Sequence, residues 1–294
     1  ALELREKIGT PGEEFEDIQT NGPYVNFFIN RKTLAKNTVS EILSQKEKFG
    51  STDIGKGQRV LIEHTSINPN ASPHVGRSRN ALIGDSLVKI FNFLNFITET
   101  HYYVNNVSKQ IAILVHAGAE KMKFEKLLKT YAQTAKKVEK SKKIEKQIFE
   151  LLREFEMGNK KIVSKFKKVS SIGVEGQKKI LSRLGIKYDY FDYESDYMKN
   201  AVEILKQLEQ TDKMHTDKHG RIYLDQKSTS VEKKLKEPVL VLTRADGTGL
   251  YPLRDMAYTV YKMNRAEKNI IVLGEDQKLY FQQLKEALNL LDYE

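Results

Sequence analysis

The stretch at residues 60–84, VLIEHTSINPNASPHVGRSRNALIG, sets the tightest limits on the fold. Val60-Leu61-Ile62 is a short apolar run whose β-branched members suit a buried strand. It breaks at Asn68-Pro69-Asn70, a turn signal. Pro73-His74-Val75-Gly76 then opens a helical pattern in which Ile83, Leu87, Ile90, Phe91 and Leu94 recur at helical spacing. Strand, polar loop and helix in this order put a His and a Gly at the helix mouth. A helix N-terminus offers unpaired N–H groups and the positive end of a dipole, which suit phosphate. A Gly there lets a flat ring or a phosphate approach the backbone. An imidazole beside it can hydrogen-bond phosphate oxygens and stabilise charge in a transition state. On spacing alone, an ordinary strand–helix connection with an incidental His fits equally well.

The alternation continues. Residues 97–104 read as a second strand, closed by Asn105 and Asn106, and a helix begins at Gln110. A strand–helix–strand–helix run of this length implies a right-handed parallel unit. Ligands gather at the carboxyl ends of such strands, which places Glu63, Asn68, His74 and Asn105 at one edge. Residues 118–235 differ. Lys is frequent from Glu120 to Lys168, and Leu127, Leu128, Tyr131, Val138, Ile144, Ile148 and Leu152 mark long amphipathic helices. Ile180, Leu181 and Leu184 mark another helix ended by Gly185, residues 188–194 form an acidic, aromatic stretch, and residues 220–224 read as a short strand. From 236 the alternating pattern returns: buried strands at 239–243 and 270–273, a tight turn at 245–249, a helix opened by Tyr251-Pro252, and a last helix carrying Leu284, Ala287, Leu288 and Leu291. At the other end, a turn at Asn21-Gly22-Pro23 precedes a strand at 24–30 and a helix with Leu34, Val39, Ile42 and Leu43.

The expected fold is therefore α/β: a Rossmann-like parallel sheet in two halves, 51–117 and 236–294, split by a Lys-rich, mostly helical insertion at 118–235 and preceded by a small α+β segment at 1–50. A chain of 294 residues suits about two domains. It contains no Cys, which excludes disulfides, thiolate metal sites and Cys catalysis. No run of 18 apolar residues and no signal-peptide pattern occurs, so a soluble, cytoplasmic protein without a membrane partner is expected. The sequence begins without Met and stops without a tail, as a piece of a longer chain does. Lys and Arg outnumber Asp and Glu by 49 to 39. That surplus fits either a polyanionic partner or a solvated Lys-rich surface.

The segment His74-Val75-Gly76-Arg77 resembles the HIGH signature of class I aminoacyl-tRNA synthetases. The longer string EHTSINPN at 63–70, followed by HVG and by RNALIGD at 79–85, resembles the arginyl-tRNA synthetase version. RADGTGLYPLRDMAY at 244–258 and VLGEDQ at 272–277 resemble motifs of the second half of that catalytic core. GPYVNFFIN at 22–30 resembles the end of the family's small N-terminal domain, which contacts the tRNA elbow.

The resemblance implies an arginine–tRNA ligase. ATP would activate L-arginine to arginyl-adenylate, with Mg²⁺ accompanying the pyrophosphate, and arginine would pass to the 3′ end of tRNA(Arg). A guanidinium carries five fixed donors and asks for a carboxylate with a ring or hydroxyl beside it. Asp255 and Tyr251, four residues apart, share one helix face and can address one ligand. By resemblance Asp255, Tyr251 and Glu63 line the arginine side-chain pocket, Asn68 holds the α-amino or carboxylate end, and Asn105 and Gln110 lie near the substrate. His74 and Gly76 meet the ATP phosphates, Arg77 takes the place of the second signature His and can still pair with phosphate, and Asn80 and Asp276 join the ATP site. Lys side chains of the insertion would touch the tRNA acceptor stem, and a monomer is expected. Asn106 and Ser108 replace an Asp and a Gly of the family pattern. Ala71 stands where members lacking the KMSKS lysine carry a Lys, so this enzyme should need a KMSKS loop, and neither that loop nor a helical anticodon-binding domain occurs in these residues. Two alternatives compete: a paralogue that adenylates an amino acid for another acceptor, and a non-catalytic basic module binding tRNA or protein.

Overall fold

Val60, Leu61 and Ile62 are fully buried, and they are buried because their strand is sandwiched between two others. In the computed structural model, which describes residues 1–293, β3 (Arg59–Glu63) pairs in parallel with β4 (Ile97–Val104) on one side and β9 (Lys268–Ile271) on the other. β4 pairs in turn with β5 (Tyr190–Tyr193), giving the order β5-β4-β3-β9. A parallel strand covered on both faces reads as a continuous apolar run, which is what 60–62 is. Glu294, the last residue of the 236–294 segment, lies outside the described residues.

The chain divides into two units, Ala1–Asp53 and Ile54–Glu294. The first holds α1 (Leu2–Ile8), an antiparallel hairpin of β1 (Phe15–Asn21) and β2 (Tyr24–Ile29), and α2 (Arg31–Gln45), capped by the Asn30 side chain. The sequence reading had only the second of those strands. In the second unit β3 leads through α3 (Val75–Phe93) to β4, and β4 to α4 (Lys109–His116). Ile111 to Val115 are all buried, since α4 is enclosed by α5 (Phe124–Glu139), α6 (Lys142–Glu156) and α7 (Lys160–Ser182). A helix apolar on every side has to be enclosed in this way. After β5 come α8 (Met198–Leu208), the antiparallel sheet of β6 (Met214–Thr216), β7 (Ile222–Asp225) and β8 (Val239–Val241), then α9 (Tyr251–Met263), β9 and α10 (Lys278–Asn289). Leu224, Leu240, Leu253, Met256 and Leu284 join these pieces in one apolar cluster.

Four expectations change. The acidic, aromatic stretch at 188–194 is not insertion: it supplies β5, an edge strand of the parallel sheet, and its acids find partners in the Thr100 N–H, His101 and Arg254. The strand read at 239–243 belongs to the antiparallel sheet rather than the parallel one, because β8 pairs with β7. Ile180 and Leu181 lie in the last turn of α7, not in a separate helix. On α3, Ile83 and Ile90 are exposed; Leu87, Phe91 and Leu94 of the expected stripe do pack against Val60 and Ile62, together with Val88, while Ala81 and Gly84 are the buried positions.

Candidate active site

The carboxyl ends of β3, β4 and β9 meet the start of α9 around a cavity of about 600 Å³. Glu63, Asn68, Asn80, Asn105, Tyr251, Asp255 and Asp276 all line it, so seven residues from four separate sequence strings converge there. A second cleft of about 880 Å³ shares Asn68, Asn80 and Asp276 with the first and adds Gly76, Arg77 and Gln110. His74 lines neither and is exposed beside Gly76, where a Cβ would lie 3.2 Å from its Cε1. The Arg77 guanidinium donates to the Ser72 carbonyl at 3.3 Å. No side chain caps the N-terminus of α3, so its first N–H groups are available to an anion.

Asp255 is the focus of the first cavity. The Tyr280 hydroxyl donates to its Oδ2 at 2.6 Å. Tyr103, whose own hydroxyl has no partner at full hydrogen-bond geometry, faces the same carboxyl. Burial pushes the Asp255 carboxyl above the usual range, the two tyrosines oppose that shift, and the Glu63 charge adds to it. Tyr251 is half exposed at the mouth, its ring 5.2 Å from that of Tyr280. The Asn105 Oδ1 is buried without a partner. Unsatisfied acceptors and a destabilised carboxyl at a cavity wall are what an absent polar cation would relieve.

Three buried residues that the sequence reading did not single out bond to groups at or next to this wall. Lys262, on the same face of α9 as Asp255, places Nζ 2.5 Å from Glu63 Oε2, with both side chains buried. The resemblance places Glu63 in the pocket; its ionic partner there is this ammonium. Glu194, just past β5, pairs with Arg254 Nε at 2.6 Å while its Oε2 has no partner. Burial pushes Glu194 up to about 7 against the pull of Arg254, and the Asp255 charge adds to the shift. Gln177 of α7 is fully buried; its Nε2 donates to the Asn68 and Ala71 carbonyls at 2.9 and 2.7 Å, and its Oε1 accepts from Tyr102 at 2.8 Å. Long-range pairs leave no periodic trace in a sequence, so none of the three had a local signal.

The loop after β3 is strained. Thr65 and Ser66 have φ of 77° and 42°, a left-handed conformation that is a genuine outlier for a β-branched residue. The bonds that hold it are His64 Nδ1 to Thr65 Oγ1 at 2.8 Å and Thr65 Oγ1 to the Tyr188 hydroxyl at 2.6 Å. The twist brings Ser66 Oγ to 3.4 Å from Glu63 Oε1 and to 3.3 Å from the Tyr103 N–H, so it ties the ends of β3 and β4 together. The departures at 106 and 108 also have structural partners. Asn106 is buried and exchanges hydrogen bonds with Ser195, and the Ser108 side chain caps α4.

Among solved structures, the chain superposes on the arginyl-tRNA synthetase of Thermus thermophilus with a TM-score of 0.68 at 21% identity, covering 99% of this chain and 54% of that one. It superposes on the Plasmodium falciparum arginyl-tRNA synthetase with a TM-score of 0.69 at 17% identity, covering 95% and 50%. At such identities the likeness is one of fold. Residues 38–294 match the family described as tRNA synthetases class I (R), catalytic domain, and the chain belongs to that family. Its curated relatives include arginine–tRNA ligases of Methanocaldococcus jannaschii, 36% identical over 99% of this chain and 52% of the relative, and of Methanococcus aeolicus, 34% identical over 96% and 50%. The chain thus spans about half the length of these relatives.

Proposed function

We propose that the chain carries the arginine-activating site of an arginine–tRNA ligase. The observation that carries this reading is Asp255: a part-buried carboxyl, held by Tyr280 and flanked by Tyr103, at the wall of a cavity that adjoins a helix N-terminus. A guanidinium entering between Asp255 and Glu63 replaces the lost hydration of both carboxylates with charge-assisted hydrogen bonds. Asn68 and Asn105 are then in place to orient the α-amino and carboxylate end. Phosphates of MgATP meet the free N–H groups of α3 beside Gly76, with His74 and Arg77 at its edge and Asn80 and Asp276 toward the nucleoside. The arginine carboxylate oxygen attacks the α-phosphorus, the bond to the bridging oxygen breaks, and pyrophosphate leaves. The tRNA 3′-terminal hydroxyl then attacks the activated carbonyl carbon and AMP leaves. Positioning and charge neutralisation suffice for both steps. Among the described residues no group of three or more acidic or His side chains could hold a metal ion.

For the nucleic-acid partner, the support is the exposure of Lys126, Lys129, Lys136, Lys137 and Lys143 on α5 and α6, a basic face suited to phosphate contacts that carry no sequence information. Among the described residues no helix is long and apolar enough to cross a membrane.

A non-hydrolysable arginyl-adenylate mimic tests the reading, because it must occupy both cavities at once. At a hundredfold excess over its Kd it should stabilise the chain by about 2.7 kcal/mol, and the matching lysyl mimic should do so far less. Equal stabilisation by the two, or none by either, would count against the assignment.

A further inference from the structure

Lys262 is only 1% exposed, and its ammonium also sits 4.4 Å above the Tyr258 ring. Taking a Lys and a Glu out of water costs several kcal/mol per ion, and their attraction repays that only when the geometry is good. A well-packed apolar pair would fill the same space without that cost, so the pair calls for a reason beyond packing. Its place in the fold supplies one. Lys262 follows Asp255 by seven residues and Tyr251 by eleven, both close to whole numbers of helical turns. One face of α9 therefore presents the pocket carboxyl and, two turns further on, the counter-ion of the other pocket carboxyl.

The charges around this wall can be counted. Glu63 is paired with Lys262, and Glu194 with Arg254. Asp255 has tyrosine hydroxyls beside it and feels the Arg254 guanidinium, which is itself paired with Glu194, while Asp276 stands at the same cavity. Without Lys262, Glu63 and Asp255 would face one another as two uncompensated acids at the edge of one cavity, and like charges there disfavour each other. With it, Glu63 is matched and Asp255 is the one of the two left without a counter-ion.

We propose that Lys262 is a positioning and charge-matching residue for the side-chain pocket: it fixes Glu63 at the wall and cancels its charge, so that of these two facing carboxyls Asp255 is the one left for a monocationic side chain to meet. The inference rests on reading the cavity as the arginine site. It assigns Lys262 no contact with substrate. Its whole effect passes through Glu63.

A double-mutant cycle tests that dependence, with arginine and ATP binding read separately by calorimetry on the full chain. Lys262→Met alone leaves Glu63 buried and unpaired and should weaken arginine at least about tenfold or prevent folding. Lys262→Met with Glu63→Gln removes both charges, keeps the volume and should fold. Glu63→Gln alone leaves the Lys262 ammonium buried and unpaired and should weaken arginine at least about tenfold, the double variant should recover a large part of that loss, and both should bind ATP as the unaltered chain does. The comparison of Glu63→Gln with the double variant decides the matter even where Lys262→Met does not fold. A further loss of about tenfold in the double variant would show that Lys262 acts independently of Glu63 and would overturn the inference. So would a folded Lys262→Met variant with a lowered melting temperature and unchanged arginine affinity, the mark of a purely structural pair. Failure of the unaltered chain to bind arginine would overturn the reading of the cavity, and this inference with it.

Discussion

His64 packs its ring against Gly84, where a Cβ would lie 2.1 Å from its Cγ, and leaves Nε2 buried without a partner. Burial lowers its pKa to about 4, against a smaller opposing pull from Asp85. A base held below its unfolded value stabilises the fold only while it is neutral. Its contribution is therefore complete above about pH 6.5 and is lost as pH falls toward 4. Glu194 works in the other direction: its raised carboxyl favours the fold at low pH, and that contribution is lost as pH rises through about 7. The two overlap, so a bare pH–stability curve mixes them. Comparison with His64→Phe separates them: between pH 6.5 and 4.5 the unaltered chain should lose melting temperature faster than the variant. Parallel curves would show that His64 is protonated in the folded state. At this scale the sequence was legible where a side chain sits in a recognisable string, as Glu63, Asn68 and Asp255 do. Lys262, Glu194 and Gln177 were hidden, because each acts through a partner at least 60 residues away.

Helix α7 shows that the insertion is part of the site. Gly173 lets it approach so closely that a Cβ would lie 2.2 Å from the Pro69 carbonyl oxygen, and Gln177 holds the Asn68 and Ala71 carbonyls. The loop carrying Asn68 is thus set by a helix more than 90 residues further on. Replacing Gln177 by Leu takes away the bond to the Ala71 carbonyl, at about 1–3 kcal/mol for an unsatisfied group, and one of the bonds of the Asn68 carbonyl and the Tyr102 hydroxyl. We expect a lower melting temperature together with weaker arginine binding, and ATP binding changed less. A loss of stability with arginine affinity intact would detach α7 from the pocket. Elements with a strong period were readable: β3, α3, β4, α4, α9, β9 and α10 all stand close to where the pattern put them. β5 was missed because alternating acids and aromatics look like surface until His101 and Arg254 are placed opposite them. β8 was assigned to the wrong sheet because its apolar run fits parallel and antiparallel pairing alike, and only the partner strand decides.

On the scale of the whole molecule, the four-stranded sheet gathers one edge from strings scattered between residues 60 and 280, and the helical layer and the small antiparallel sheet brace that edge from separate sides of the sequence. The catalytic portion is thus recognisable in a chain that spans about half of its relatives. What the sequence alone could not give was the balance of charge at the site, since that depends on which acid finds which base after folding. The most direct test of the account is calorimetric titration of arginine and citrulline against the unaltered chain and Asp255→Asn. Citrulline keeps the shape of arginine and loses its charge. The account predicts that arginine binds, that citrulline binds at least about a hundredfold more weakly, and that Asp255→Asn, by removing the charged partner at a cost of about 2–5 kcal/mol, erases most of that difference. Equal binding of arginine and citrulline, or an Asp255→Asn variant that still prefers arginine by the same factor, would contradict it.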